Sequence, residues 1–150
     1  MITLTQYQQA AQSLEDKIMS PATMIRNLCV ALTDLTNSNS NIGTMPNSGD
    51  LHCTFYDYGG SDMQDSRNAI DMEYVQVRSR GSYESSYNIL LQIKLALHAI
   101  PELTLTNGDT LIGIWLTSSI AHLGKDDKNR SLHTLNLKVA ISPTNKGNRI

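Results

Sequence analysis

Residues 74–100, YVQVRSRGSYESSYNILLQIKLALHAI, constrain the fold most. Val75 and Val77 alternate with Tyr74, Gln76, Arg78 and Arg80, the two-residue period of a half-buried strand. Past Gly81 the period changes. Tyr83, Leu90, Ile93, Leu97 and Ile100 recur at helical spacing, and Tyr87 widens that stripe. Ser82 is the expected N-cap, Glu84 in the first turn suits the positive end of the helix dipole, and Pro101 removes the helical conformation from Ile100. A strand that runs into an amphipathic helix requires a sheet with a helix laid on one face. Val75, Val77, Leu90, Ile93 and Leu97 are therefore expected in the core.

The flanking sequence extends this unit. Thr5 is positioned to cap a first helix over residues 6–19, with the stripe Tyr7, Ala11, Leu14 and Ile18. Ser20-Pro21 then supplies an N-cap followed by proline in the first turn of a second helix. That helix runs to about residue 35 on the stripe Ile25, Leu28, Leu32 and Leu35, with Cys29 beside it. Residues 36–50 and 60–71 lack periodicity and read as polar loops.

Alternation marks strands at residues 51–58, 72–80 and 131–142. In the first, Leu51, Cys53 and Phe55 face away from His52, Thr54, Tyr56 and Tyr58; in the last, Leu135, Leu137, Val139 and Ile141 make an unbroken apolar face. Asn107-Gly108 signals a turn between a short strand at 103–105 and a longer one at 110–118, where Ile112, Ile114 and Leu116 share a face opposite Trp115. GKDDKNR, residues 124–130, is a charged turn, and the patternless residues 143–150 are expected to be a mobile tail. The predicted class is α+β: one domain over residues 1–150, an antiparallel sheet of four to five strands with helices packed on one face.

Composition narrows the function. A net charge of -2 leaves no electrostatic footprint for non-specific binding to nucleic acid. Only 17% of residues are charged, so little long-range repulsion opposes self-association. Cys29 and Cys53 read as small buried hydrophobes. None of His52, His98, His122 and His133 stands at a metal-ligand spacing from another histidine or a cysteine, except adjacent His52-Cys53, which a strand turns to opposite sides. Asp126-Asp127 with Asn129 lacks the glycine and terminal glutamate of a calcium loop. Neither a phosphate-binding loop nor a nucleophile elbow is present. No catalytic residue, metal or cofactor is expected. The chain also lacks a signal-peptide pattern and any apolar run of membrane-spanning length. Arg78, Arg80 and Arg67, with Tyr74 and Gln76, remain as a patch of the kind that meets another subunit. On that reading, reversing the charge at Arg78 and Arg80 weakens assembly and leaves the monomer folded.

The run Val75-Gln76-Val77-Arg78-Ser79-Arg80-Gly81, followed by Ser82-Tyr83-Glu84 and Tyr87 and a helix ending near His98, carries a family resemblance. Leu123-Gly124-Lys125-Asp126-Asp127-Lys128-Asn129-Arg130 and the alternating strand to Ile141 continue it. In order and spacing this pattern resembles the minor capsid and tail-completion proteins of long-tailed bacteriophages, the tail-terminator group. The likeness covers roughly residues 51–143, with the two N-terminal helices in the expected place; it departs at Ser61-Asp62-Met63, where the family pattern has proline.

The resemblance implies a non-enzymatic virion protein of the tail and neck, assembled in the host cytoplasm. It implies a homo-oligomer, a six-membered ring that caps the head-proximal end of the tail tube and stops its growth. Its partners would be the tail tube protein and the head-completion or connector proteins, with viral DNA only passing through the channel and no membrane involved. The loops at 36–50 and 59–71 would be partner-binding arms that order on assembly. Two alternatives are another head–tail connector or minor capsid component of the same virion, and a small enzyme or binding module outside it.

Overall fold

The computed structural model describes residues 2–14, 20–58, 70–106 and 108–143. Helix α1 (Leu4–Gln12) opens on a capping box: the Thr3 hydroxyl accepts from the Gln6 amide, and the Gln6 side chain accepts from the Thr3 amide. The cap is thus Thr3, two residues before the expected Thr5, where the reciprocal Thr3–Gln6 pair satisfies two of the amides that open the helix. The helix gives way at Ser13, and residues 15–19 of the expected helix, Ile18 included, lie outside the described residues.

Helix α2 (Pro21–Leu32) starts as expected on Ser20 and Pro21. It stops three residues before the expected end, because the Thr33 amide and hydroxyl both donate to the Cys29 carbonyl and Thr33 itself is extended. At its N-terminus the Ala22 amide donates to an Asp57 carboxylate oxygen at 2.8 Å, so a strand side chain caps the helix.

The strands are β1 (Ser40–Ile42), β2 (His52–Tyr58), β3 (Asp71–Gly81), β4 (Leu103–Thr104), β5 (Thr110–Leu116), β6 (Ala121–Lys125) and β7 (Ser131–Ser142); helix α3 (Tyr83–His98) follows β3. Among the described residues they form one seven-stranded sheet in the order β1-β2-β3-β7-β5-β4. Strand β6 pairs with the first part of β7, and β5 with the rest. The α+β class holds. The expectation of four to five antiparallel strands does not: the sheet is larger, and it is mixed because β1 runs parallel to β2.

Strand β1 carries no alternation signal and arises inside the expected loop at 36–50. Side chains hold it instead: Arg26 donates from Nε to the Ser40 hydroxyl, while Asn41 Oδ1 receives the Thr54 hydroxyl and contacts His52 Nε2 at 2.9 Å. This loop is built into the fold. Residues 59–69 of the second expected loop, and 144–150 of the expected mobile tail, lie outside the described residues.

Register makes one sheet face apolar. Phe55, Val77 and Leu135 align across three strands, Val75 aligns with Leu137, and Ile114 with Val139. Against them pack Tyr7, Ala11, Ile25, Leu28, Leu90, Ile93 and Leu97 from the three helices. Val75, Val77, Leu90, Ile93 and Leu97 are all fully buried. One expected facing is wrong. Strand β5 carries a bulge between Leu111 and Gly113: Leu111 sits opposite Ile141 and Gly113 opposite Ala140, so Ile112 has no partner. The extra residue reverses the alternation before it, and Leu111, fully buried, takes the core position expected of Ile112.

Candidate assembly surface

Among the described residues the other sheet face has no helix over it. Its positions are those that alternate with the core: Tyr56 and Tyr58 on β2, Tyr74, Gln76 and Arg78 on β3, Asn136 and Lys138 on β7, and Trp115 on β5. Register sets them in rows. Tyr58, Tyr74, Lys138 and Trp115 lie side by side across four strands; Tyr56, Gln76 and Asn136 form the next row, and Thr54, Arg78 and Thr134 the one after.

Contacts knit the rows together. The Tyr58 and Tyr74 ring centroids are 5.7 Å apart. The Arg78 guanidinium lies over the Tyr56 ring and the Lys138 ammonium over the Trp115 ring, each 5.4 Å from the centroid. Arg78 Nε donates to Gln76 Oε1 at 2.8 Å, and Gln76 Nε2 donates to Asn136 Oδ1 at 3.0 Å. Each cation–π contact at such a site is worth about 0.5–1 kcal/mol, enough to hold the long side chains flat. Trp115 is 46% exposed and Tyr58 37%. A Cβ at position 113 would stand 3.1 Å from Trp115 Cη2, so the glycine there lets the indole fold back along the sheet. By register the face presents cations and aromatic rings and, among the described residues, no carboxylate.

The sequence-predicted patch divides. Tyr74, Gln76 and Arg78 come together on this face. Arg67 lies outside the described residues. Arg80 points the same way as Arg78 by alternation but is only 3% exposed. Its guanidinium donates to the carbonyls of Pro46, Ser48 (2.9 Å), Gly49 (3.1 Å) and Asp50 (3.3 Å). The 46–50 segment therefore covers it.

From the far side Arg130 donates to the Asn47 carbonyl at 3.1 Å and to Gly49 O at 2.6 Å, and is itself paired with Asp126 at 2.8 Å. Asp126 also accepts from the Lys128 and Arg130 amides, so the charged turn is a folded bracket for the same loop. Burial and the neighbouring Arg130 lower the Arg80 pKa, against the opposing pull of Asp126 and Asp50. Tyr56, Tyr58, Trp115, Asn136 and Lys138 belong to the surface and stand outside the sequence-predicted patch. Alternation within each strand marks them as facing outward; only strand order brings them together.

A second polar cluster lies on the core side, where the first turn of α3 meets β6 and β7. His133, 1% exposed, contacts the Ser86 hydroxyl through Nδ1 at 2.5 Å, and its buried Nε2 has no hydrogen-bond partner among the described residues. The rings of Tyr83 and His122 each stand 4.9 Å from it. Burial, then the adjacent His122, lowers the His133 pKa from its ordinary value. Burial likewise raises both thiols, that of Cys53 to about 12. Among the described residues no three His, Cys, Asp or Glu side chains converge as metal ligands, and no helix is long and apolar enough to cross a membrane.

Residues 21–143 match the family model described as bacteriophage tail terminator protein. The chain belongs to the bacteriophage tail terminator family. The match begins at the first residue of α2 and ends just past β7, so it takes in every described strand and two of the three described helices. No curated protein matches the chain. Membership in the terminator family makes the chain a structural protein of a phage tail, which works in contact with other tail or head proteins. The helix-free sheet face of this terminator is thus a candidate for such contacts.

Proposed function

We propose that the protein closes into a ring, six-membered as in the terminators it resembles, at the head-proximal end of the tail tube. There it stops tube polymerisation and presents a docking surface to the head-completion or connector proteins, within the neck of the virion. The family match over residues 21–143 carries this reading.

The physics of the surface supports it. A ring needs a heterologous contact whose rotation closes. Arg and Tyr or Trp on a face with no helical cover are the residue types enriched where subunits meet. Edges at β1, β4 and β6 that are unpaired among the described residues are liabilities that neighbouring subunits would cover. A net charge of -2 suits a channel that has to release DNA rather than hold it. Tyr74, Gln76 and Arg78 remain the proposed contact residues on the sheet face, and Arg80 serves by holding the loop beside them.

The test mixes purified protein with tail tubes that lack it. The expected result is a ring-sized species, seen by electron microscopy at one end of each tube, and tubes that no longer elongate. A protein that stays monomeric with and without tubes, and that leaves elongation unchanged, would sink the proposal.

A further inference from the structure

The helix layer carries a second uncovered surface, on the side of the molecule opposite the open sheet face. It is a groove of about 960 Å³ between the start of α1, the end of α2 and the last turns of α3. Tyr7 and Ala96 form its floor, locked together by the Tyr7 hydroxyl donating to the Ala96 carbonyl at 2.6 Å. Leu4 and Leu95 form its walls and are 60% and 65% exposed. A leucine that open on a well-packed helix is unusual next to an apolar groove, since the two together make a contiguous patch. Among the described residues the lining carries one charged group, the Asp34 carboxylate held by Gln92, and no lysine or arginine.

We propose that this groove receives the open sheet face of a second copy of the chain. The two surfaces complement each other in chemistry. The sheet face offers the exposed Trp115 ring with Arg78 and Lys138 and no carboxylate among the described residues. The groove offers exposed leucines with Asp34 and, among the described residues, no cation in its lining. They are two different surfaces of one subunit, as a head-to-tail contact requires, so each copy uses both. Aromatic rings entering an apolar groove with charges paired at the rim is the usual anatomy of a subunit interface. The inference rests on the ring reading and names the surfaces that form it.

The test uses two variants of the full chain, Leu95→Lys in the groove and Trp115→Glu on the sheet face. Both sites are solvent-exposed, and a melting curve checks the fold of each. Sedimentation is followed for each variant alone and for an equimolar mixture, free and with tail tubes. Each variant alone should be monomeric, its assembly weakened about thirtyfold or more, the scale of a lost central anchor. The mixture should form dimers and stop there, because one groove and one sheet face remain intact between the two partners. A charge exchange gives an independent reading: Lys138→Glu and Asp34→Lys each weaken assembly, and the double variant regains it. Variants that still form rings alone, or a mixture that stays monomeric, would overturn the pairing of these surfaces and leave the ring intact as a reading. A wild-type chain that forms no ring even on tubes would overturn both.

Discussion

Replacing Arg80 with alanine should destabilise the folded subunit far more than replacing Arg78, although the two are neighbours on one face of one strand. Arg80 is 3% exposed and donates to four carbonyls of the 46–50 segment. A hydrogen bond with a charged partner contributes about 1.5–3 kcal/mol net. The four are not additive, because they share one guanidinium and water can reach carbonyls of a loosened loop. A total of about 2–4 kcal/mol follows. At roughly 2–4 °C per kcal/mol for a chain of this size, the melting temperature should fall by about 5–15 °C.

Arg80→Lys should recover only part of this, since an ammonium cannot fork to several carbonyls at once. Arg78 is exposed and its contacts are with Tyr56 and Gln76, so Arg78→Ala should cost less than about 1 kcal/mol. Urea unfolding measures both, and limited proteolysis reads the 43–50 segment, which should become a cleavage site in the Arg80 variant alone. An Arg80→Ala protein that melts within about a degree of the wild type, or an Arg78→Ala protein that is the less stable of the two, would refute the clamp.

Two further outcomes are expected. Leu111→Ala should cost about 2–5 kcal/mol in urea unfolding, as for other fully buried leucines, while Ile112→Ala, at the unpaired bulge position, should cost less than half as much; the reverse order would place Ile112 in the core and remove the bulge. Stability should also fall on acidification. The His133 pKa in the folded chain lies below its ordinary 6.5, so between those two values the unfolded chain binds more protons than the folded one. The contribution is therefore whole above pH 6.5 and is lost progressively as the pH falls through that window. His52, lowered by burial and by Arg80, adds in the same direction. His133→Gln should flatten the pH dependence of the melting temperature below pH 6.5, and an unchanged slope would mean that the buried ring does not titrate there.

The organising unit was legible because local rules suffice for it. Ser82 caps α3 and the helix ends before Pro101 for reasons contained within a few residues, and the alternation of β7 fixes its inward face over residues 131–142. The same rules mislead where a distant side chain takes over. The segment at 36–50 has no period, yet Arg26, Thr54, Arg80 and Arg130 hold it as a parallel strand followed by a clamped loop. Those partners are thirteen to eighty-odd positions away in sequence, and no window of residues reports them.

The candidate surface divides along the same line. Alternation alone places Tyr74, Gln76 and Arg78 opposite the core, so the identity of an outward face was decided by sequence. That Trp115 and Lys138 share a row with Tyr74, and that Arg80 is buried beneath residues 46–50, follow from strand order and loop path. The physical reason is that the strand period tells which side a residue faces but carries no information about which strand lies next to it. Neighbours across a sheet are chosen by the packing of the whole chain, and here that packing turned a row of unremarkable polar positions into one continuous aromatic and cationic face.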